Sequence, residues 1–165
     1  VRYGNVMGSR GSVIPFFMSI AKDGVLPITD NRMTRFMISL ESAVNLVWDV
    51  FDDMTGGEIY VKKIPSMKVT DIALAVDDQA KTIEIGIRPG EKLHEEMISK
   101  EDAFNTYEYP EYFKILPSIN DWNKDELKIG DGIKVDPIFT YCSNNNKDWM
   151  KVPELKKWLK NNKFK

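Results

Sequence analysis

The pattern of apolar positions predicts helices and strands that alternate along the first hundred residues. Apolar side chains recur at helical spacing in three segments, which begin near Val13, Leu40 and Val69. Shorter runs rich in β-branched residues predict strands at residues 1–7, 26–30, 58–61 and 82–87. This alternation is typical of an α/β fold with a mainly parallel sheet.

Polar and glycine-containing positions mark the boundaries of these elements. The first helix is expected to end near Gly24. Ser39 is a suitable N-cap for the second helix, and Gly56-Gly57 is expected to terminate it. Between the two helices, Arg32 and Arg35 are expected to lie in a basic loop.

The pattern becomes less regular beyond about Lys100. Aromatic residues cluster on both sides of Pro110, and a polar stretch that contains glycine follows. A short helix is predicted at residues 153–159. We therefore expect residues 101–165 to form an irregular extension that ends in this helix.

The composition allows a folded domain and limits its partners. Of the 165 residues, 42% are apolar, which is enough to bury a core. The net charge of −2 gives no global field that would attract nucleic acid or an anionic membrane. The sequence has no run of about 18 apolar residues that could span a membrane. The single Cys142 excludes an internal disulfide framework and favours a reducing, cytoplasmic location.

The sequence around Arg88 has the features of an anion-binding turn. The strand predicted at residues 82–87 brings Arg88 to the end of a sheet, where Pro89 and Gly90 turn the backbone. A planar guanidinium suits a phosphate better than a lysine does. Glu91 follows where a helix is expected to begin, so it could accept a ligand hydroxyl or interact favourably with the helix dipole.

The loop at residues 4–12 is a second candidate site, because it follows a predicted strand and precedes a helix. Ligands of α/β sheets bind beyond the carboxyl ends of strands, although an ordinary connecting loop is the alternative. The loop lacks the G-x-G-x-x-G fingerprint, so it is not the primary cradle of a dinucleotide pyrophosphate. Asn5 offers both a donor and an acceptor to a phosphate oxygen or a sugar hydroxyl.

Other polar residues limit the kinds of ligand site and reaction that the sequence allows. The segment that contains Arg32 and Arg35 would form a two-arginine clamp for a pyrophosphate together with Arg88, and a solvated basic loop is the alternative. His94 is the only histidine and has no cysteine or histidine at metal-ligand spacing, so no metal site is expected. A Ser-His-Asp hydrolase is not expected either, because the G-x-S-x-G elbow is missing from the sequence.

Five segments, in order, resemble the inverting UDP-N-acetylglucosamine 4,6-dehydratases. These enzymes form part of the polysaccharide-biosynthesis family within the extended short-chain dehydrogenase/reductase superfamily. The matching motifs include V-R-Y-G-N-V-x-G-S-R-G-S-V at residues 1–13, P-I-T-D-x-R-M-T-R-F at 27–36 and I-R-P-G-E-K-L-H-E at 87–95. The segments G-G-E-I-Y-V at 56–61 and K-I-P-S-M-K at 63–68 are also similar to the family, as is Y-C-S-N-N-N at 141–146.

The resemblance implies the C-terminal part of an extended Rossmann-like fold, with its last parallel strands and a substrate-binding subdomain. Residues 1–100 would form the C-terminal half of the Rossmann-like domain with the nucleotide-sugar-binding subdomain interleaved, and residues 101–165 the extension. The implied enzyme uses NADP. Hydride leaves sugar C4, water is eliminated across C5 and C6, and hydride returns to C6. The expected partner is a UDP-sugar, and the full-length protein is expected to be a homo-oligomer.

The resemblance also assigns site residues. The positions that match UDP-sugar contacts are Asn5, Val13, Thr29, Arg35, Arg88 and Glu91. The positions that match the loop at the nicotinamide end of the cofactor are Val6, Met7, Gly8, Ser9 and Arg10.

No catalytic residue is expected within this chain. The family's glycine-rich loop, its Tyr-x-x-x-Lys pair and its Asp-Lys pair lie upstream of the strand with which the sequence begins. None of the six tyrosines here has a lysine four residues later. We therefore interpret the chain as a fragment of a longer enzyme that contributes mainly the nucleotide-sugar half.

Three alternatives remain at this point. Another extended-family enzyme, such as a nucleotide-sugar epimerase, would share these motifs. A non-catalytic module that binds sugar nucleotides would need no upstream catalytic residues. A truncated gene product without a stable fold would expose an edge strand and an apolar face.

Overall fold

The structure, a computed structural model, describes residues 1–118 and 126–162 and contains short strands interspersed with helices. The helices are α1 (Val13–Ile20, continued by a 3-10 turn at Ala21–Asp23), α2 (Leu40–Asp53), α3 (Val69–Val76), α4 (Lys100–Ala103), α5 (Glu126–Ile129) and α6 (Val152–Asn161). The strands are β1 (Asn5–Val6), β2 (Val25–Ile28), β3 (Thr34–Ile38), β4 (Ile59–Lys62), β5 (Ser66–Lys68), β6 (Lys81–Glu84), β7 (Glu96–Ile98), β8 (Thr106–Glu108), β9 (Tyr112–Ile115), β10 (Ile133–Lys134) and β11 (Tyr141–Cys142).

Two of the pairings between the strands named above are parallel, and they carry the candidate site. Strand β1 pairs with β3, and β2 pairs with β6 from Val25 opposite Lys81 to Ile28 opposite Glu84. The other pairings, β3 with β5, β7 with β11 and the four-stranded sheet β10-β8-β9-β4, are antiparallel. The α/β class is confirmed. The expectation of a mainly parallel sheet is wrong for the described residues, because tightly connected strands such as β8 and β9 can pair only in antiparallel fashion.

Helices α1, α2 and α3 lie where the apolar spacing predicts them. Ser39 caps α2 as expected, since its Oγ accepts a hydrogen bond from the Ser42 amide at 3.1 Å. The helix ends at Asp53, a few residues before the predicted glycine terminator, because Met54 already adopts extended backbone angles.

Three expectations about local structure are wrong. Arg35 lies in the interior of β3, a strand that is buried along its whole length, and not in a solvated loop. Glu91 does not begin a helix, because residues 91–95 are irregular and lead into β7. The region beyond Lys100 is not an irregular extension, since its described residues contain four strands and three helices. The predicted C-terminal helix is confirmed as α6.

The buried residues form two apolar clusters. One is centred on Phe17, Leu26, Ile72 and Leu155, where α1, α3, α6 and β2 meet. The other is centred on Phe36, Val61 and Phe113 and other residues of the antiparallel strands. Strand β3 alternates between them, because Met37 belongs to the first cluster while Phe36 and Ile38 belong to the second. The strand is therefore a fixed support for the polar residues that precede Phe36.

One face of α2 remains exposed. Leu40, Val44, Trp48 and Phe51 recur at helical spacing and are 45% to 65% exposed. No helix within the described ranges combines the length and the apolar character needed to cross a membrane.

Candidate functional site

A cavity with a volume of about 650 Å³ lies between β1, α1 and the carboxyl ends of β2 and β6. This volume falls within the range typical of small-ligand sites. All six residues predicted to contact the UDP-sugar line the cavity: Asn5, Val13, Thr29, Arg35, Arg88 and Glu91. Apolar side chains, including Phe16, Phe17 and Ile85, form much of the remaining wall.

The parallel pairing of β2 and β6 explains why distant residues meet here. Parallel strands end at the same edge of a sheet, and Thr29 follows β2 there as Ile85 follows β6. Arg88 and Glu91 then follow on residues 88–95, which we call the cavity segment. The predicted convergence of these residues from separate elements is therefore consistent with the topology.

A tight turn presents Arg88 to the cavity. The Glu91 amide donates to the Arg88 carbonyl at 3.0 Å, and Gly90 has a φ of 81°, which favours glycine at this position. The Arg88 amide lies 3.4 Å from Glu91 Oε2. The Arg88 side chain is exposed, and its guanidinium makes no hydrogen bond or ion pair with any residue in the described ranges. Its donors are therefore available to an anion.

Arg35 differs from Arg88, because its guanidinium donates hydrogen bonds to backbone carbonyls of the protein. The residue is 9% exposed. Its Nη1 donates to the carbonyls of Thr34 at 2.7 Å and Leu93 at 3.1 Å, and its Nη2 donates to the Lys92 carbonyl at 2.9 Å. The predicted contact of Arg35 with a diphosphate therefore competes with contacts that the cavity segment already makes.

A buried polar group lies on the other side of the cavity segment. Thr34 Oγ1 lies 2.8 Å from His94 Nδ1 and 2.7 Å from Ser143 Oγ. Ser143 Oγ also accepts from the Glu95 amide at 2.9 Å. Burial of the ring, followed by the nearby charges of Arg35 and Arg32, lowers the pKa of His94 below 6.5. The imidazole is therefore neutral at pH 7 and serves as a hydrogen-bonding group.

Arg32 does not line the cavity. Its Nε and Nη2 donate to the two oxygens of Asp30 at 2.9 and 2.7 Å. These hydrogen bonds, with that of the Arg32 amide, lower the pKa of Asp30 to about 2. Of the two arginines in this part of the sequence, only Arg35 reaches the cavity.

The predicted cofactor loop turns the chain at the carboxyl end of β1. Ser9 donates its amide to the Val6 carbonyl at 3.2 Å, and Gly8 has a φ of 77°. Met7 is 7% exposed and belongs to the core. The residues Val6, Met7, Gly8, Ser9 and Arg10 do not line the cavity, whereas Gly11 and Ser12 immediately after them do. The positive φ of Gly8 favours glycine at this position, and the role of the loop in binding a cofactor stays a prediction.

Sequence reasoning missed the link between the cavity segment and Ser143. The Y-C-S-N-N-N motif at residues 141–146 is visible in the sequence, but no local signal pairs Ser143 with Thr34, which lies 109 residues earlier. Within the described ranges, no group of three or more histidine, cysteine or acidic side chains could hold a metal ion.

Comparison with known proteins identifies the family. A sequence profile described as polysaccharide biosynthesis protein matches residues 1–117. The chain belongs to this family. It is 52% identical over 161 residues to the inverting UDP-N-acetylglucosamine 4,6-dehydratase of Campylobacter jejuni, an alignment that covers 93% of this chain and 48% of that protein.

Less similar proteins match over the same region. The UDP-glucose 4-epimerase of Rickettsia canadensis is 37% identical over 163 residues, covering 96% of this chain and 48% of the epimerase. The crystal structure of Pen from Bacillus thuringiensis superimposes with a TM-score of 0.81 at 30% identity, over 97% of this chain and 48% of Pen. The chain therefore spans about half the length of the relatives that it matches.

Proposed function

We propose that the full-length protein is an inverting UDP-N-acetylglucosamine 4,6-dehydratase and that this chain supplies its nucleotide-sugar-binding part. The observation that carries the proposal is the cavity of about 650 Å³ in which all six predicted UDP-sugar residues meet. The 52% identity to a protein of that name supports the choice of reaction. The product would be a 4-keto-6-deoxy UDP-sugar for the synthesis of bacterial surface glycans.

In this proposal, Arg88 binds the diphosphate of the ligand. Its guanidinium is exposed at the cavity and has no partner within the described residues, and two parallel N–H groups can engage one phosphate. Asn5 and Thr29 would bind hydroxyl or phosphate oxygens, while Glu91 would accept a hydroxyl proton. The apolar wall formed by Phe16 and Phe17 would exclude water from the bound ligand.

The cofactor of the proposed enzyme is a nicotinamide nucleotide, which we propose to be NADP. When bound, it supplies hydride transfer. Residues 6–10 of this chain would contact its nicotinamide end through the turn at Gly8, where the missing side chain would allow close approach of the backbone. A cytoplasmic location, favoured by the single Cys142, belongs to the same proposal.

The test is the affinity of the complete protein for UDP when Arg88 is replaced. Arg88→Ala removes a charge-assisted contact worth about 1.5–3 kcal/mol, so the dissociation constant measured by isothermal titration calorimetry should rise about 10- to 100-fold. Lys92→Ala is the matched control. It removes a positive charge from the same cavity segment, but the Lys92 side chain is exposed and does not line the cavity.

The proposal predicts that Lys92→Ala changes the dissociation constant less than about threefold, the range expected of a surface charge. Equal affinities in the wild type and Arg88→Ala would remove Arg88 from the site. A wild-type protein that does not bind UDP would overturn the proposed function as a whole.

A nucleotide-sugar epimerase is the second candidate, because the UDP-glucose 4-epimerase of Rickettsia canadensis is 37% identical over 96% of this chain. The two reactions differ in their products. The dehydratase releases water and gives a sugar lighter by one water molecule, whereas an epimerase conserves the mass. Mass spectrometry of UDP-N-acetylglucosamine after incubation with the complete protein and NADP distinguishes them.

A further inference from the structure

Thr34 lies next to Arg35 on β3, but its side chain does not reach the cavity. Successive side chains of a strand point to opposite faces, so Thr34 shares its face with Phe36, which belongs to the second apolar cluster. Thr34 is 3% exposed and does not line the cavity, whereas Arg35 does. Any effect of the Thr34 side chain on a ligand must therefore pass through neighbouring residues.

The Thr34 hydroxyl joins two segments that are far apart in the sequence. Its Oγ1 lies 2.8 Å from Nδ1 of His94 in the cavity segment and 2.7 Å from Oγ of Ser143, which follows β11. Ser143 Oγ accepts the Glu95 amide at 2.9 Å, and the Ser143 amide donates to the Glu95 carbonyl at 2.8 Å. The carboxyl end of the cavity segment is thus bonded to β3 directly through His94 and indirectly through Ser143.

Both partners of the hydroxyl are removed from water to a large extent, and they are close in sequence to the turn at the cavity. Ser143 is 0% exposed and His94 is half-buried, so loss of the Thr34 hydroxyl would leave buried polar atoms unpaired. Glu91 lies three residues before His94. The Glu91 amide donates to the Arg88 carbonyl at 3.0 Å and closes the turn. The position of this turn therefore depends on where His94 is held.

We propose that Thr34 is a positioning residue, whose hydroxyl holds the carboxyl end of the cavity segment on β3 and thereby sets where the segment carries Arg88 and Glu91. Arg35, on the opposite face of the strand, remains a predicted UDP-sugar contact. The part of this inference that concerns the ligand rests on the proposed function, in which Arg88 and Glu91 bind the UDP-sugar. The part that concerns the hydroxyl and the cavity segment does not.

Thr34→Val and Thr34→Ser separate the hydroxyl from the rest of the side chain. Valine has nearly the shape of threonine but no hydroxyl, so it leaves the partner atoms of His94 and Ser143 unpaired. Serine keeps the hydroxyl and lacks only the methyl group. If Thr34 acted by filling space in the core, valine would replace it and serine would not. A positioning role of the hydroxyl predicts the opposite order.

Limited proteolysis of the complete protein measures the attachment without a ligand. Trypsin cleaves after Lys92, and cleavage within a folded protein requires the residues around the bond to open locally. Thr34→Val should accelerate this cleavage about tenfold, the change expected for the loss of one buried hydrogen bond, and Thr34→Ser less than about threefold. Pro89 blocks cleavage after Arg88, and cleavage after Lys22, in the turn that follows α1, should not change.

The dissociation constant of UDP, measured by isothermal titration calorimetry, tests the effect on the ligand site. Thr34→Val should raise it about three- to tenfold, because a segment that is no longer fixed at His94 must be ordered when UDP binds. Thr34→Ser should change it less than about twofold. Ser143→Ala removes the other partner of the hydroxyl and should change both measurements in the same direction as Thr34→Val. Cys142→Ser is the control for Ser143→Ala.

The outcomes separate this inference from the proposed function. Cleavage after Lys92 at the wild-type rate in both Thr34→Val and Ser143→Ala would overturn the inference. A Thr34→Ser variant that is impaired as much as Thr34→Val would also overturn it. Faster cleavage with unchanged UDP affinity in Thr34→Val would refute the positioning role. If the wild type does not bind UDP, the proposed function fails, and the cleavage rates alone decide the attachment. Should Thr34→Val fail to fold, Ser143→Ala decides both parts.

Discussion

Replacing Gly4 by alanine should displace the strand that carries Asn5. A Cβ atom at Gly4 would lie 2.3 Å from Phe36 Cβ, 2.7 Å from the Phe36 carbonyl oxygen and 2.9 Å from its carbonyl carbon. Two of these atoms belong to the backbone of β3, and Phe36 is 0% exposed, so the neighbour cannot move aside.

The size of the effect follows from that geometry. Non-bonded carbon atoms come into contact at about 3.5 Å, so the strands would have to separate by more than about 1 Å. Overpacking a well-filled core costs about 1–3 kcal/mol, and we expect a loss near the upper limit because the obstruction is backbone. The displacement would also move Asn5 away from Arg35, which precedes Phe36. In an enzyme, misplacing a group of the active site by 1 Å can lower turnover about a hundredfold.

The measurements are urea denaturation and UDP titration of the complete protein. Gly4→Ala should shift the denaturation midpoint downward and weaken UDP binding about tenfold or more. Gly24→Ala is the control: its φ is +69°, no atom lies within 4 Å of the added Cβ, and it follows the 3-10 turn. It should cost about 1–2 kcal/mol from backbone strain and leave UDP binding unchanged. Wild-type stability and affinity in Gly4→Ala would refute the reasoning.

Two further predictions concern charged groups. Lys114 is 5% exposed in its side chain and pairs with Asp53 at 2.7 Å, so Asp53→Ala should lower the free energy of unfolding by about 1–3 kcal/mol. Adding Lys114→Met should restore part of the lost free energy of unfolding, because it removes the charge that Asp53→Ala leaves unpaired. A double variant whose loss equals the sum of the two single losses would contradict this. Since the pKa of His94 is lowered, the unfolded state binds the proton more tightly, and stability should fall as the pH drops below about 6.5. His94→Gln should flatten that dependence in denaturation curves, and an unchanged slope would count against it.

The helices could be predicted from the sequence because their determinants are local. Ser39 is a suitable cap three residues before Ser42, and the apolar residues after it keep one period through α2. Strand β3 gave no such signal. Its threonine and arginine are polar in the sequence, yet both are buried because other segments of the chain provide their hydrogen-bond partners.

The C-terminal region was misinterpreted for a related reason. Of the aromatic residues around Pro110, Tyr107 lies in β8 and Tyr112 and Phe113 lie in β9. The two strands form one hairpin, in which Tyr107 pairs with Lys114 and Glu108 with Phe113. Such short strands acquire their stability from the partner strand rather than from their own sequence. The six predicted UDP-sugar residues, in contrast, came from motifs of the family, and the structure brings all of them to one cavity. Their individual roles remain predictions.

The attachment of the cavity segment to Ser143 has a consequence for folding during translation of this protein. Glu95 and Ser143 are separated by 48 residues, so the segment leaves the ribosome well before the residue that holds it. At a synthesis rate of roughly 5–20 residues per second, this delay is about 2–10 s. During that interval the growing chain already contains Arg88 and the contacts of Arg35, but the contacts of Ser143 with Glu95 form only after β11 has been translated.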